Sequence, residues 1–310
     1  MTTFLEINDH KLLLLQGPDA QKFLQGQVTC DINQLAITDS TSKSILGAHC
    51  THKGRMLFSF LACQLDEHTV ALSIYMPLLA DAHAQLKKYS IFSKVELIDA
   101  SPSHRIIAYK GRDTAPLKAL GLSIPNLVGE ATHHSSGITL IKIDDDRFEC
   151  WISIKDAKQI TVFDLLQSGD HQWCVDNIKQ GIAEVRLETV EQFIPQMLNY
   201  QVLREAISFT KGCYTGQEVV ARMHYLGKLK KHLYHFSVDS STPLPPNTPL
   251  YTPDKKQAIG HVALSALTEN GQILLAVVAE ELVISDKVFI DQHYQQKIQA
   301  QSLPYAITNQ

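Results

Sequence analysis

The sequence predicts an α+β fold in which a duplicated strand-and-helix unit precedes a small C-terminal β-barrel, on three observations. The first is an echo: Leu12 to Leu24 reads LLLLQGPDAQKFL and Ile106 to Leu120 reads IIAYKGRDTAPLKAL. In each, an apolar strand runs into G-x-D and then an amphipathic helix, with glycine permitting the turn and aspartate placed to cap the helix. The second is a further echo, between VALSI from Val70 leading into a helix that ends AHAQLK, and CWISI from Cys150 leading into KDAKQITVFDLLQ. The third is a change of texture after Lys231 to alternating strands separated by PLPPNTP from Pro243, TPDKK from Thr252 and ENG from Glu269.

These observations set the expected organisation. Residues 1–230 form a duplicated α+β region, with halves at about 1–100 and 101–230, and residues 231–310 form the barrel. With 310 residues, 45% of them hydrophobic, the chain can bury a sizeable core. The net charge of −4 excludes a global electrostatic drive towards nucleic acid or an anionic membrane, so any basic site is local. Met1 to Asp9 lacks the pattern of a secretory signal, and the most apolar runs fall short of the roughly 20 residues that cross a bilayer. A soluble, cytoplasmic chain with no membrane partner is expected. Six scattered cysteines without a C-x-x-C pair fit a reducing compartment and supply no local zinc or four-cysteine cluster site; no metal ligand is singled out.

The most informative stretch is KGCYTGQE at 211–218. Thr215 and Glu218 have the spacing of a capping box, which predicts a helix starting at about Gly216 and running into Val219, Val220 and Ala221. Cys213 then sits just outside a helix N-terminus, where the helix dipole and Lys211 favour the thiolate, the nucleophilic form. Gly212 and Gly216 leave the backbone beside the sulfur open to a ligand.

This octapeptide, continued as VVAR to Arg222, resembles the signature of the YgfZ family, bacterial relatives of a mitochondrial iron–sulfur assembly factor. FLQGQVTCDI from Phe23, the KGR turn at 53–55, LKKYSIFSKV from Leu86, the GI of Gly181 and Ile182, and FIPQMLN from Phe193 are similar to the family's blocks, in order, across most of residues 12–230. The resemblance implies the fold of the folate-dependent aminomethyltransferase, the T-protein of the glycine cleavage system: two ferredoxin-like units and a barrel around a folate channel. It implies tetrahydrofolate or another reduced folate as cofactor. It also implies an accessory function in iron–sulfur cluster assembly or repair and, through it, tRNA modification, with iron–sulfur client enzymes as partners.

The residues implied are Cys213 as the reactive thiol with Lys211 beside it, and Trp173, Gln25, Gln27, Thr29, Arg55, Tyr214, Gln217, Glu218 and Arg222 at the folate. Each also has a plainer reading. Gln25, Gln27, Thr29 and Asp31 line a channel or merely finish a helix and turn. Arg55 receives a folate carboxylate or is a solvated hairpin arginine. Trp173 stacks a pterin or is core.

Three departures from the family pattern stand out. Lys11 lies in the stretch where some members carry a tryptophan. Lys179 stands two residues before the GI block, where a glutamate would accept the pterin N–H groups, which lysine cannot. YMPLLAD puts Met76 and Pro77 in place of a polar turn and leaves Asp81 only approximately placed, so glycine-cleavage activity is not expected. The alternative function is a folate-dependent one-carbon transferase with Cys213 as covalent handle and Asp81 as the charged group. GKLKKH at 227–232, with Lys228, Lys230, Lys231 and His232, is either a basic rim for a polyglutamate tail or RNA phosphate, or a solvated strand edge. Direct tRNA binding is the less favoured of the partners.

Overall fold

A computed structural model describes residues 3–155, 166–203, 205–227 and 229–307. Apolar runs bounded by turn residues become the strands of one ten-stranded sheet. They are β1 (Thr3–Ile7), β2 (His10–Gln16), β3 (Thr41–Cys50), β4 (Met56–Asp66), β5 (Thr69–Tyr75), β6 (Glu96–Asp99), β7 (His104–Lys110), β8 (Glu130–His134), β9 (Ile138–Lys142) and β10 (Arg147–Ser153). Leu12 to Leu15 are all buried, so both faces of β2 are covered, which explains an unbroken apolar run where a half-exposed strand would alternate.

The strand order is β1-β7-β10-β9-β8-β3-β4-β5-β2-β6. Read outward from its middle, it carries the duplication: β3-β4-β5-β2 on one side answers β8-β9-β10-β7 on the other. Counted as repeats that open with β1 and β6, five strands each, the two halves exchange their opening strands. β1, from the chain start, pairs with β7 of the second half, with Ile7 opposite Ile106, while β6 pairs with β2 of the first, with Leu13 opposite Asp99.

The strand-turn-helix echo is present in both halves. β2 passes through Gly17 into α1 (Ala20–Gln25), and β7 passes through Gly111 into α3 (Ala115–Ala119); α2 (Leu79–Lys87) follows β5. A Cβ on Gly17 would lie 2.2 Å from the Lys94 carbonyl oxygen, so only glycine fits. The aspartates work differently from the expected caps. Asp19 occupies the N-cap of α1, but its side chain accepts the backbone N–H of Lys94 (2.7 Å) instead of capping. Asp113 precedes the true N-cap, Thr114, and accepts from Ala115 N–H (2.9 Å). Most of the helix expected after CWISI lies outside the described residues.

After α4 (Asp170–Lys179) and α5 (Gln217–Tyr225) the chain forms a five-stranded sheet of β11 (Lys231–Val238), β12 (Pro249–Thr252), β13 (Lys255–Thr268), β14 (Gly271–Ala279) and β15 (Gln299–Gln301), with α6 (Glu280–Ile284) after β14. Its order is β12-β13-β14-β11-β15. Phe289 bridges Tyr251 of β12 and also Lys297 just before β15, which closes the sheet into the expected barrel. Alternate residues Leu274, Ala276 and Val278 of β14 point inward to meet Phe236, Val262 and Leu250.

By compactness the chain divides into two units, residues 1–47 with 59–170, and residues 48–58 with 171–310. The tip of the β3–β4 hairpin thus belongs with the second unit, a division that follows other lines than a cut at 230. Among the described residues, no helix is long and apolar enough to cross a membrane.

Candidate functional site

In the second unit, the turn of Thr51 to Arg55 and the start of α5 meet backbone to backbone. Thr51 and Arg55 pair across the turn, Thr51 N–H donating to the Arg55 carbonyl (2.8 Å), and Gly54 turns it at φ +70°. Gly216 is the N-cap of α5 at φ +85°, and a Cβ there would stand 2.5 Å from the Thr51 carbonyl oxygen. A Cβ on Gly54 would stand 3.0 Å from Val219. Two glycines that look like independent turn residues in the sequence are therefore one contact, and both the conformation and the space demand them.

This geometry revises the expected capping box. Gly216 takes the N-cap position, α5 begins at Gln217, and no side chain caps it, so Thr215 and Glu218 are out of register for the box. Glu218 and Arg222 are exposed, one turn apart on the solvent face of α5. Arg55 is half-buried, and one of its guanidinium nitrogens donates to the Gln192 carbonyl (2.6 Å). Beside it, Met56 N–H bonds to Phe193 (2.9 Å), stitching the hairpin to residues 191–193.

Around the sulfur, the loop is held on both sides. Lys211 N–H donates to Ser208 Oγ (3.2 Å), the Gln217 amide reaches the Gly212 carbonyl (3.5 Å), and Gln217 N–H bonds to the Tyr214 carbonyl (3.1 Å). Tyr214 is buried, and the Lys211 ammonium lies 5.0 Å from its ring centroid, a cation–π distance. Cys213, between these anchors, is exposed. Of the other five cysteines, Cys174 is half-buried and the rest are buried. Burial pushes the thiols of Cys50, Cys63 and Cys150 up to about 12, so they stay protonated and inert.

Trp173 is 6% exposed on α4. Sequence reasoning missed its neighbour Asp176, a buried carboxylate three residues on and hence on the same helix face, which accepts from the Gln172 amide (3.0 Å). Lys179, the departure two residues before the GI block, is exposed.

Sequence reasoning also passed over the polar members of the FIPQMLN block. Gln196 donates to the Val220 carbonyl (2.7 Å) and Asn199 to the Leu233 carbonyl (2.9 Å), which fixes the orientation of each amide. The opposite ends, Gln196 Oε1 and Asn199 Oδ1, with Gln201 Oε1, are buried acceptors without a hydrogen-bond partner among the described residues. The signal available was amides embedded in an apolar run, since a buried polar group is costly unless it is paired.

The remaining expected residues lie in the first unit. Gln25 holds the turn: its amide donates to Asp31 (2.9 Å) and its oxygen accepts from Ile32 N–H (2.7 Å), using both ends. Asp31 accepts from Asn33 N–H (3.1 Å). Thr29 is fully buried and Gln27 half-buried. Lys11 is half-buried in β2, and Asp81 is exposed in the first turn of α2. GKLKKH does not present one basic face: Lys230 is exposed, His232 points inward and is buried, and Lys228 lies outside the described residues. Among the described residues, no three His, Cys, Asp or Glu side chains group to hold a metal ion.

No protein-family model matches the chain. It is 32% identical to the tRNA-modifying protein YgfZ of Sodalis glossinidius over 314 residues, 98% of this chain and 93% of the relative. It is 29% identical to the YgfZ of Photorhabdus laumondii over 319 residues, 99% and 94% of the two chains. Among solved structures it resembles the glycine cleavage system aminomethyltransferase T from Bartonella henselae, with a TM-score of 0.77 and 15% identity, covering 99% of this chain and 86% of that one. At that identity the likeness shows the T-protein fold.

Proposed function

We propose a function that starts from one fact, that this chain belongs to the YgfZ family: it is a folate-binding accessory protein whose Cys213 thiol serves the assembly or repair of iron–sulfur enzymes, and through them tRNA modification. The observation that carries this reading is the exposure of Cys213 on a loop fastened at Ser208, Gly212 and Tyr214, in a chain whose other thiols are buried or half-buried. A fastened loop holds the sulfur in place for a partner while keeping it open. One cysteine cannot complete a cluster's ligand set, so a client or a small thiol supplies the rest. The relatives' name, tRNA-modifying protein, supports the outcome on tRNA.

The residues present fit a reduced folate. A pterin offers N–H donors, and the amide oxygens of Gln196, Asn199 and Gln201, which have no hydrogen-bond partner among the described residues, would serve as acceptors once a rearrangement opened them to the ligand. The Asp176 carboxylate offers a further acceptor, and the Trp173 indole a stacking face. When bound, the folate supplies one-carbon chemistry or a structural plug; these side chains bind and orient it and exclude water. The transferase alternative is not adopted, because Asp81 is exposed in the first turn of α2, behind an apolar Met76 and Pro77.

The test has two arms. In cells lacking the protein, Cys213→Ala should lower cluster-dependent tRNA thiolation at least tenfold, while tetrahydrofolate affinity stays that of the parent; full thiolation would overturn the thiol's role. Titration with tetrahydrofolate should quench the fluorescence of Trp173, a signal lost in Trp173→Phe, where Trp151 still emits. Gln196→Leu should weaken binding about tenfold. Absence of binding to the parent chain would remove the folate.

A further inference from the structure

The barrel end of the second unit carries a cleft of about 430 Å³ that the folate and thiol reading does not use. Lys231, Lys255, Lys256 and Gln257 form its polar lining, and Ile259 and Leu282 are among its apolar residues. The topology brings them together. Lys231 opens β11 opposite Ala279, the last residue of β14, and Lys255 and Lys256 open β13, which pairs with the other edge of β14. We propose that this cleft binds a ligand bearing adjacent phosphate groups.

Charge supports this. Three lysines line one small volume, and none of its lining residues is an acid. Of the nearby acids, Glu281 approaches Lys255 at 3.8 Å with both side chains well exposed, and Asp254 pairs with Lys287 at 3.0 Å. Burial, and then the charge of Lys255, holds the Lys231 ammonium below the ordinary lysine range; burial and then Lys231 do the same to His261. Cations that destabilise one another across a cleft are relieved by an anion between them. Lysines serving only to keep a strand edge soluble would spread into water and need no cleft.

The ligand class follows from the lining. Lysine binds phosphate as a point charge, and three of them suit two or more linked phosphates better than one carboxylate. The volume lies in the range of about 300–1,000 Å³ typical of small-ligand sites, and the apolar residues suit an organic remainder. The phosphates belong either to a small diphosphate or to an RNA strand.

The test is calorimetric titration of the full chain with inorganic pyrophosphate at low ionic strength, and separately with a short oligouridylate. Saturable one-to-one pyrophosphate binding is expected, weakened about tenfold by Lys256→Gln and lost in the Lys255→Gln, Lys256→Gln double variant. Both positions are exposed, and an unchanged thermal melt checks that the variants fold. If oligouridylate displaces pyrophosphate and its salt slope falls by about two in the double variant, the source is an RNA strand. If it does not compete, the source is a small phosphate ligand. No saturable pyrophosphate binding by the parent chain, or parental affinity in the double variant, would overturn the proposal. The readout is independent of tetrahydrofolate binding and of Cys213.

Discussion

The two compact units put similar residue types to opposite uses. In the first, polar side chains mainly close on one another. Gln25 spends both ends of its amide on Asp31 and Ile32, and Arg147 pairs with Asp144 at 2.6 Å. Trp151 donates to Glu149 at 2.8 Å, and His133 lies 2.8 Å from Ser42 Oγ and 3.2 Å from Thr139 Oγ1. Its cysteines, Cys30, Cys63 and Cys150, are buried. In the second unit a thiol is exposed, three amide oxygens have no hydrogen-bond partner among the described residues, and three lysines converge on a cleft. Satisfied polar networks specify a fold; unsatisfied groups carry a cost that a ligand can offset. On the proposed function, the chemistry belongs to the second unit.

The sharpest way to break that contrast is alkylation. A thiol near 12 is about 10⁻⁴ ionised at pH 8, so Cys63 and Cys150 should react with iodoacetamide more than about a thousandfold slower than Cys213 in the native chain. Peptide mass spectrometry resolves the sites. Comparable labelling of Cys63 without denaturant would erase the distinction between the units.

A smaller effect separates two glycines within one motif. Gly216→Ala places a side chain at φ +85° against the Thr51 carbonyl and should lower stability by about 2–3 kcal/mol in urea unfolding. Gly212→Ala meets nothing within 4 Å and should stay within about 0.5 kcal/mol of the parent. Equal losses would mean that the mating of the turn to α5 does not hold the loop.

The smallest effect tests the first unit's closed network. Burial, then the neighbouring His134, lowers His133 to about 4. The unfolded chain, with histidine near about 6.5, takes up the proton first, so stability should be full above that value and fall as pH drops towards about 4. His133→Asn should flatten this part of the curve. Urea midpoints across pH 4 to 7 give the measurement, and a parental slope in the variant would place the sensitivity elsewhere.

Sequence carried the parts of this protein that depend on near neighbours. The echo of Gly17 and Gly111, each between an apolar strand and a helix, showed the duplication because a turn requires glycine wherever it lies. The proline and glycine punctuation after Lys231 showed the barrel for the same reason, and KGCYTGQE marked the loop that bears Cys213. The roles of Gln25 and Arg55 stayed open, because a long polar side chain reaches several partners and sequence spacing does not choose among them. Asp176 and Gln196 were passed over because a lone polar residue in an apolar stretch looks like an interruption until its burial is known.

By itself, then, the sequence determined the local grammar: the apolar strands that open each echo, where the backbone must turn, which cysteine lies between glycines, and which family this chain resembles. Only tertiary structure decided the exchange of β1 and β6 between the halves, the mating of Gly54 with Gly216, the use of Arg55 on Gln192, and the meeting of Lys231 with Lys255 and Lys256. The physical reason is range. Turns and alternation are set by sterics within a few residues, whereas these contacts join residues far apart in the chain. They are settled by which packing pairs the most backbone and buries the most apolar surface at once.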